Sequence, residues 1–545
     1  MKIYLLLIVL FFSSYLYSQE KKDYGQIHGN FEINMQTYKE DSLIGAPDVP
    51  EIMRANAYAN INYTKDKFSA GIRYEAYLNT LLGYSEEYNG QGIAYKYASY
   101  TADELEVTVG NFYEQFGAGL VLRTYEDKTL GYDNALDGIR LRYKPVDGIK
   151  LTGLLGKQKK YFENGTGIIR GFDTEISVNN LFEKLSEKKT KFSLGGSFVS
   201  KYQENLNPKY NLPENVGAFS GRFSVARRGF KLSSEFVHKI NDPSSDNNLI
   251  FKDGNALLIN TSWSKKGIGF LLSILRLDNM SFRSDRYATI NDLHINYLPA
   301  IAKTHAYAFA AMYPFATQPN GQAGINAEIF YKFKRNSALG GKYGTSLSIN
   351  FSQVNSIKTE PVYSTDDAVN LDGYSSDFFS IGDSLYFRDF NIELYKKISR
   401  SFKFSLVYML ESYNKDVIQG LSDYGIVKSN IGIIDMTYKL TSKHALRFEG
   451  EILLTEQDNG NWGMVMLEYT YSPHWFVAVY DQYNYGNPSD DYKIHYFNIT
   501  AGYTKGANRI QIGYGKQREG ILCVGGVCRN VPASNGFTLS ISSSF

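Results

Sequence analysis

The sequence predicts an all-β fold, a transmembrane up-and-down antiparallel β-barrel of about 24–26 strands. Three observations predict it: an apolar–polar alternation along most of the chain, short turns that alternate with long polar connections, and a last strand that ends on Phe545. Alternation with a period of two places successive side chains on opposite faces of a strand. In a membrane barrel one face meets lipid and the other lines the lumen.

The start of the chain has the layout of a secretory signal peptide. Lys2 precedes an apolar run over residues 3–12, and small and polar residues lead to a cut at Ser18. The run is shorter than the roughly 20 residues of a comfortable membrane span, so an uncleaved anchor is the weaker alternative. We predict residues 1–18 as a signal peptide and residues 19–545 as the barrel.

The composition fits half-apolar strands and excludes several function classes. The net charge of +2 and the absence of a sustained basic run argue against nucleic acid as a partner. The mean hydropathy is −0.31, and no apolar stretch beyond the signal is long enough for a spanning helix. The 44 Tyr and 48 Gly against 13 Pro indicate a sheet-rich chain. A secreted array of β-sandwiches shares this composition, so composition alone does not decide.

The strands begin early and come in pairs. QIHGNFEINMQ sets Ile27, Phe31, Ile33 and Met35 against polar residues, which leaves no N-terminal room for the plug domain of an energy-coupled receptor. Short turns such as that at residues 265–267 alternate with long polar connections. This order predicts tight turns on the periplasmic side and long loops outside.

The last strand identifies the compartment. Phe537, Leu539, Ile541 and Phe545 fall on one face, opposite a row of Ser and Thr. Gly536, Leu539, Ile541 and Phe545 resemble the barrel-insertion signal that the insertion machinery reads as an added strand. We expect this strand to pair with the first and close the barrel. The predicted partners are outer-membrane lipid and the barrel-insertion machinery, and the predicted location is the outer membrane of a Gram-negative bacterium.

The two cysteines lie in one hairpin. In GILCVGGVCRNVP, Cys523 and Cys528 flank a Val-Gly-Gly-Val turn. An oxidising compartment favours a local disulfide across that turn. Two reduced thiols or a metal site are the alternatives, the metal being weaker because no His or second Cys pair lies near.

Residues 109–144 are denser in charge than a strand and loop require. One interpretation is that this segment folds inward and narrows the lumen, with opposed charges that set solute preference. In that constriction Arg123, Arg140 and Arg142 would face Glu126, Asp127 and Asp133. The other interpretation, which we favour, is a packed loop whose ion pairs satisfy buried groups.

This segment, the stretch 296–333 and CVGGVCRNVP together resemble a family of Bacteroidota outer-membrane β-barrel proteins of uncharacterised function. The resemblance covers most of the mature chain. It implies the barrel and the compartment. It implies no substrate and no catalytic residues.

No catalytic motif supports an enzyme. The chain lacks G-x-S-x-G and H-E-x-x-H, and its seven His are scattered. We predict no enzyme, cofactor or metal, and keep a barrel hydrolase as a remote alternative. The main prediction is a pore or transporter for small polar solutes, and the alternative is a structural or assembly partner of other envelope proteins. A lumen filled by residues 109–144 favours the second role, and an open charged path favours the first.

Overall fold

The barrel is closed. The computed structural model describes residues 24–289, 291–362 and 373–545, so the predicted signal peptide lies outside the described residues. A single sheet of 24 antiparallel strands runs around the barrel, each strand pairing with its neighbours in sequence. The first strand, Gln26–Thr37, also pairs with the last, Ser534–Ser544, which closes the sheet. The predicted barrel and its strand number are confirmed.

The regular elements account for most of the described chain. The barrel strands are Gln26–Thr37, Met53–Lys65, Phe68–Leu78, Gly90–Thr101, Leu105–Phe112, Leu136–Val146, Ile149–Lys160, Glu163–Ser177, Thr190–Tyr202, Asn215–Arg227, Phe230–Lys239, Gly254–Lys265, Ile268–Asp278, Gly321–Phe333, Thr345–Ile357, Ile381–Lys397, Phe402–Asn414, Ile426–Lys439, His444–Leu454, Trp462–Tyr471, Trp475–Tyr483, His495–Lys505, Asn508–Gln517 and Ser534–Ser544. Short strand pairs in the loops are Gln115–Phe116 with Leu122–Arg123, Glu126–Asp127 with Tyr132–Asp133, Glu360–Pro361 with Tyr374–Ser375, and Gly520–Val524 with Val527–Val531.

Helices are few and short. The α-helices are Val178–Leu181, Glu183–Ser186 and Lys415–Gln419, and the 3-10 turns are Glu86–Tyr88, Ser245–Asn247 and Asp490–Tyr492. Within the described ranges, no helix has the length and apolar character needed to cross a membrane.

Closure depends on residues at both chain ends. Ile541 lies between Ile33 of the first strand and Ile510 of the preceding strand. Phe545 exchanges two backbone hydrogen bonds of 2.9 Å with Gly29. A Cβ atom at Gly536 would lie 1.9 Å from the carbonyl oxygen of Thr37, so only glycine fits at this seam.

The connections follow the predicted order with three departures. Tight turns at residues 66–67, 228–229 and 506–507 lie at one end of the barrel, and long loops lie at the other. We call these the periplasmic and the outer end, after the predicted orientation. The periplasmic connections 178–189 and 334–344 are long, and the outer connection 161–162 is short.

The two faces of the sheet differ in polarity. Outward residues form an apolar, exposed belt that includes Ile72, Leu141, Phe219, Leu467 and Ile512. In a barrel this belt is the surface that meets hydrocarbon. The apolar core of the molecule lies on the other side of the wall, in the outer half of the lumen.

One strand shows how the lumen changes along its height. In Asn215–Arg227 the inward residues Val216, Ala218 and Ser220 are buried, and they lie near the outer end. Arg222 and Ser224, which point the same way nearer the periplasm, are half-buried. The outer half of the lumen is therefore filled, while the inner half is polar and more open.

Candidate functional site

Two loops fold into the barrel and fill the outer half of the lumen. Residues 113–135 connect Leu105–Phe112 to Leu136–Val146, and residues 279–320 connect Ile268–Asp278 to Gly321–Phe333. We call these two loops the plug. Their apolar side chains join inward residues of the barrel wall in one buried cluster, in which Leu120, Leu122, Ile295 and Phe309 are fully buried.

The sequence located only part of the plug. Inward folding was one of two interpretations of residues 109–144. Both ends of this range belong to barrel strands, and only 113–135 enter the lumen. Residues 279–320 form the larger loop, which no periodicity assigned to the lumen. The available signal was AYAFAAMYPF at 306–315, an apolar run inside a connection that would otherwise face water.

The two halves of the plug bind each other through the backbone. The Arg123 amide donates to the Ile295 carbonyl at 2.9 Å, and the Tyr297 amide donates to the Gly119 carbonyl at 2.9 Å. The Asn134 side chain donates to the His294 carbonyl at 2.7 Å. The plug is therefore one body built from two distant parts of the chain.

A buried ion network fixes the first half of the plug to the wall. Arg73 binds Glu75 at 2.6 Å and also contacts Asp133, and Lys159 binds Asp133 at 2.7 Å. The side chains of Arg73 and Asp133 are only 5% and 7% exposed. Glu126 lies 3.1 Å from Arg73 and completes the network.

The network sets the charge of its carboxyls. Burial raises the pKa of Asp133, but Lys159 and Arg73 outweigh it and hold that pKa below its usual range. Burial dominates at Glu126 and raises its pKa. Oxygen atoms of Glu75, Glu126 and Asp133 lie within 4.8 Å of one another, and the bound Arg73 and Lys159 balance most of their charge.

The predicted constriction residues have other partners than expected. Arg140 and Arg142 bind Glu106 at 2.6 Å and 3.2 Å, because Glu106 is the cross-strand neighbour of Arg142 in the wall. Arg142 also binds Glu114 at 2.8 Å. In the described part of the chain, the ion pairs of Arg140 and Arg142 are therefore with Glu106 and Glu114, not with acidic residues 126, 127 and 133.

The remaining constriction residues pack locally. The Arg123 guanidinium lies over the rings of Tyr125 and Tyr297, 4.8 Å and 4.0 Å from their centroids. Asp127 accepts hydrogen bonds from the amides of Thr129 and Leu130 within its own turn. The role of these six residues in solute preference stays a prediction.

Carboxylates on the opposite wall fix the second half of the plug. Glu451 accepts hydrogen bonds from the amides of Ala308 and Phe309 at 3.0 Å and 2.8 Å. His305 bonds to Asp389 at 2.8 Å. Sequence reasoning missed Glu451, as it missed Arg73 and Lys159, because the sequence of a strand does not show which residues its inward polar side chains contact.

The cysteine hairpin touches both halves of the plug. Cys523 and Cys528 form a disulfide between Gly520–Val524 and Val527–Val531. At the hairpin tip, the Gly525 carbonyl accepts from the Ala300 amide and the Gly526 carbonyl accepts from the Thr317 amide, both at 3.3 Å. Arg529 donates to the Thr129 carbonyl at 2.7 Å. The hairpin therefore holds the plug from outside.

Cavities lie on both sides of the plug. One of about 700 Å³ opens among the outer loops and is lined by residues that include Trp462, Asn484 and Arg518. We call it the outer cavity. A second, of about 460 Å³, lies beneath Gly117 and Ala118 and is walled mostly by polar side chains.

A protein-family model matches the whole chain. The chain belongs to the DUF6029 family. The model of this family, described as a family of unknown function, matches residues 1–545. No curated protein matches the chain.

Several solved barrels are similar in outline. The siderophore receptor PirA from Pseudomonas aeruginosa aligns with 96% of this chain and 81% of its own, at 10% identity and a TM-score of 0.40. The translocation pore of the P pilus usher PapC aligns with 95% and 98%, at 8% identity and 0.43. A Rh. blastica porin aligns with 65% and 100%, at 13% identity and 0.28. Similarities this low say nothing about what this chain binds or moves.

Proposed function

We propose that this chain is an outer-membrane barrel of a Gram-negative bacterium that passes small polar solutes, without catalysis, through a lumen that the plug closes at rest. The observation that carries the proposal is the division of the lumen. Its outer half is packed by residues 113–135 and 279–320, and a cavity walled mostly by polar side chains lies beneath the plug. The resemblance to a Bacteroidota family supports the further proposal of a source in that phylum.

A filled lumen by itself favours the structural role, but the way in which the plug is attached supports gating rather than a permanently solid barrel. Glu451 and Glu235 each accept hydrogen bonds from plug amides, Glu235 from Ala118 at 2.7 Å. Such bonds exchange readily with water once a plug segment moves. Beneath the plug, Arg222 and Asn260 belong to a polar cavity through which a solute would continue.

A liposome-swelling assay tests the proposal. The purified barrel is reconstituted and challenged with arabinose and with the larger raffinose, beside liposomes without protein. We expect slow arabinose entry through the native barrel and faster entry when the plug is loosened by Glu451→Ala. If both proteins leave the liposomes as tight as the empty controls, the barrel is not a transporter.

A groove on the lipid face favours a second candidate function, that of an assembly partner. Gly432 and Gly450 are outward residues on adjacent strands, and Ile434 lies directly opposite Gly450. With Tyr408 and Val465 they border a groove of about 650 Å³. Small outward residues let another membrane-embedded surface approach closely.

Site-specific crosslinking tests the partner role. A photo-crosslinking residue replaces Ile434 in the groove, and a control replaces Leu271 elsewhere in the belt. A partner role requires one discrete protein adduct from position 434 in intact cells. Adducts of lipid alone, or equal protein adducts from both positions, would rule it out.

A further inference from the structure

The outer cavity is built by several separate loops. Its walls come from loops 38–52, 415–425, 455–461, 484–494 and 518–533, and from the plug. A volume of about 700 Å³ lies within the range of small-molecule sites, roughly 300–1,000 Å³. All of these loops lie at the outer end of the barrel, so the cavity faces the medium from which a solute would enter.

Arg518 brings a positive charge to this cavity. Its guanidinium lies 5.9 Å from the centroid of the Trp462 ring and donates to the Glu519 backbone carbonyl at 3.2 Å. No carboxylate of the described ranges lies within ion-pair distance of it. Burial lowers the pKa of Arg518, because its charge is partly withdrawn from water.

The acidic residues of the cavity leave this charge available. Asp458 is engaged by Lys415 at 2.7 Å and by the Tyr313 hydroxyl at 3.0 Å. Glu519 is exposed to solvent, which screens its charge. An anionic group inside the cavity would therefore meet a guanidinium that can bind it through two parallel hydrogen bonds.

Two deeply buried polar atoms add a second, independent indication of a ligand. Trp462 and Asn484 are 5% and 1% exposed, and both line the cavity. In the described part of the chain, the Trp462 Nε1 donor and the Asn484 Oδ1 acceptor have no hydrogen-bond partner. Both atoms are closed to solvent in this conformation, so a ligand's hydroxyls would reach this unpaired donor and acceptor once the two side chains turn toward the cavity.

Aromatic rings complete the surface. The Trp462 and Tyr496 ring centroids are 5.9 Å apart, and Tyr492 also lines the cavity. Aromatic faces pack against flat apolar surfaces, and the hydroxyl of Tyr and the N–H of Trp form hydrogen bonds with polar groups at the edge of a ligand. A ligand that fits carries a carboxylate, hydroxyls that both donate and accept, and a ring with an apolar face.

We propose that the outer cavity binds an acidic saccharide, a uronic acid or a short oligosaccharide that contains one. Its carboxylate pairs with Arg518. As Trp462 and Asn484 turn toward the cavity, its hydroxyls accept from Trp462 and donate to Asn484. The inference deepens the proposed function, and it rests on that function for the claim that the bound saccharide is cargo. Binding itself is measured without any transport.

Isothermal titration calorimetry on the purified full-length barrel in detergent tests the binding. The probes are digalacturonate and, as a neutral disaccharide, maltose. We expect saturable binding of digalacturonate, with much weaker binding of maltose. Arg518→Gln should weaken digalacturonate binding about tenfold or more, because a charge-assisted bidentate contact is lost.

Two further variants make the test specific. Trp462→Phe keeps a ring and removes the N–H, and we expect about tenfold weaker binding. Arg170→Gln is the matched control, since this exposed arginine lies on Glu163–Ser177, outside the cavity, and should bind like the native chain. Heat-modifiable migration on gels confirms that each variant is folded.

The outcomes separate this inference from the proposed function. No saturable digalacturonate binding, equal binding of maltose, or an unchanged affinity in Arg518→Gln would overturn the saccharide site. Liposome uptake would decide transport independently of each of these. Binding without uptake of digalacturonate would keep the site and overturn its role as a cargo site.

Discussion

Glu451 offers the most direct way to open the plug. Its two carboxylate oxygens accept the amide hydrogens of Ala308 and Phe309, in the middle of the plug segment 279–320. Phe309 is fully buried, so water does not replace the lost acceptor at its amide while the plug stays closed. Glu451→Ala therefore raises the free energy of the closed state more than that of any state in which these two amides can bond to water.

The size of the effect follows from these two bonds. A hydrogen bond to a charged group contributes about 1.5–3 kcal/mol, so losing both costs the closed plug about 3–6 kcal/mol. Since Glu449 interacts with Glu451 and repels its charge, part of this cost is returned. At about 1.4 kcal/mol per tenfold change, the ratio of open to closed barrels should rise by roughly a hundredfold or more.

Single-channel recording in planar bilayers measures this ratio. Glu451→Gln should give an intermediate open probability, because its carboxamide keeps one acceptor and turns a donor toward the other amide. Glu468→Ala is the matched control: this carboxylate also faces the lumen, on Trp462–Tyr471, and accepts from Thr470 rather than from the plug. Open probabilities in Glu451→Ala no higher than in Glu468→Ala would refute the gating argument.

Three further predictions concern insertion, the hairpin and pH. Phe545→Asp should sharply reduce the amount of folded barrel in the membrane, because it places a charge on the lipid-facing seam beside Gly29. Heat-modifiable migration on gels measures this amount, and as much folded barrel as in the native protein would contradict the insertion signal. Replacing both Cys523 and Cys528 by Ser should leave the midpoint of unfolding nearly unchanged, because the disulfide closes only a short loop. The same replacement should raise the open probability in bilayers, and an unchanged open probability would argue against the hairpin as a clamp on the plug. The lowered pKa of Asp133 means that its ion pairs stabilise the plug above its usual value of 3.8 and are lost as the pH falls through the depressed pKa. The share of plug opening that depends on Asp133, measured as the difference between the native barrel and Asp133→Asn, should therefore change only below about pH 4. A difference that changes near neutral pH would exclude Asp133 as its cause.

Predictions that rest on a strand's period agree with the structure. Ile27 begins within the first strand, and Ile541 lies against Ile33 at the seam. The turn at residues 265–267 falls between the strands Gly254–Lys265 and Ile268–Asp278. Period-two alternation and turn composition are local properties, so they can be read without knowing what lies opposite.

Predictions of contacts across the lumen agree less well with the structure. Arg140 and Arg142 bind a neighbour in the wall, while Glu126 and Asp133 bind Arg73, and Asp133 also binds Lys159. Residues 279–320 enter the barrel although nothing periodic marks them.

The sequence by itself determined that this chain closes into a barrel with an apolar outer face, because its strands repeat the same local alternation. Only the tertiary structure decided what fills that inside. Glu451 and Ala308 are far apart in the chain and meet only because the barrel curves its wall around the plug. A period tells which way a side chain points, but its partner depends on the geometry of the closed sheet and on irregular loops that carry no period.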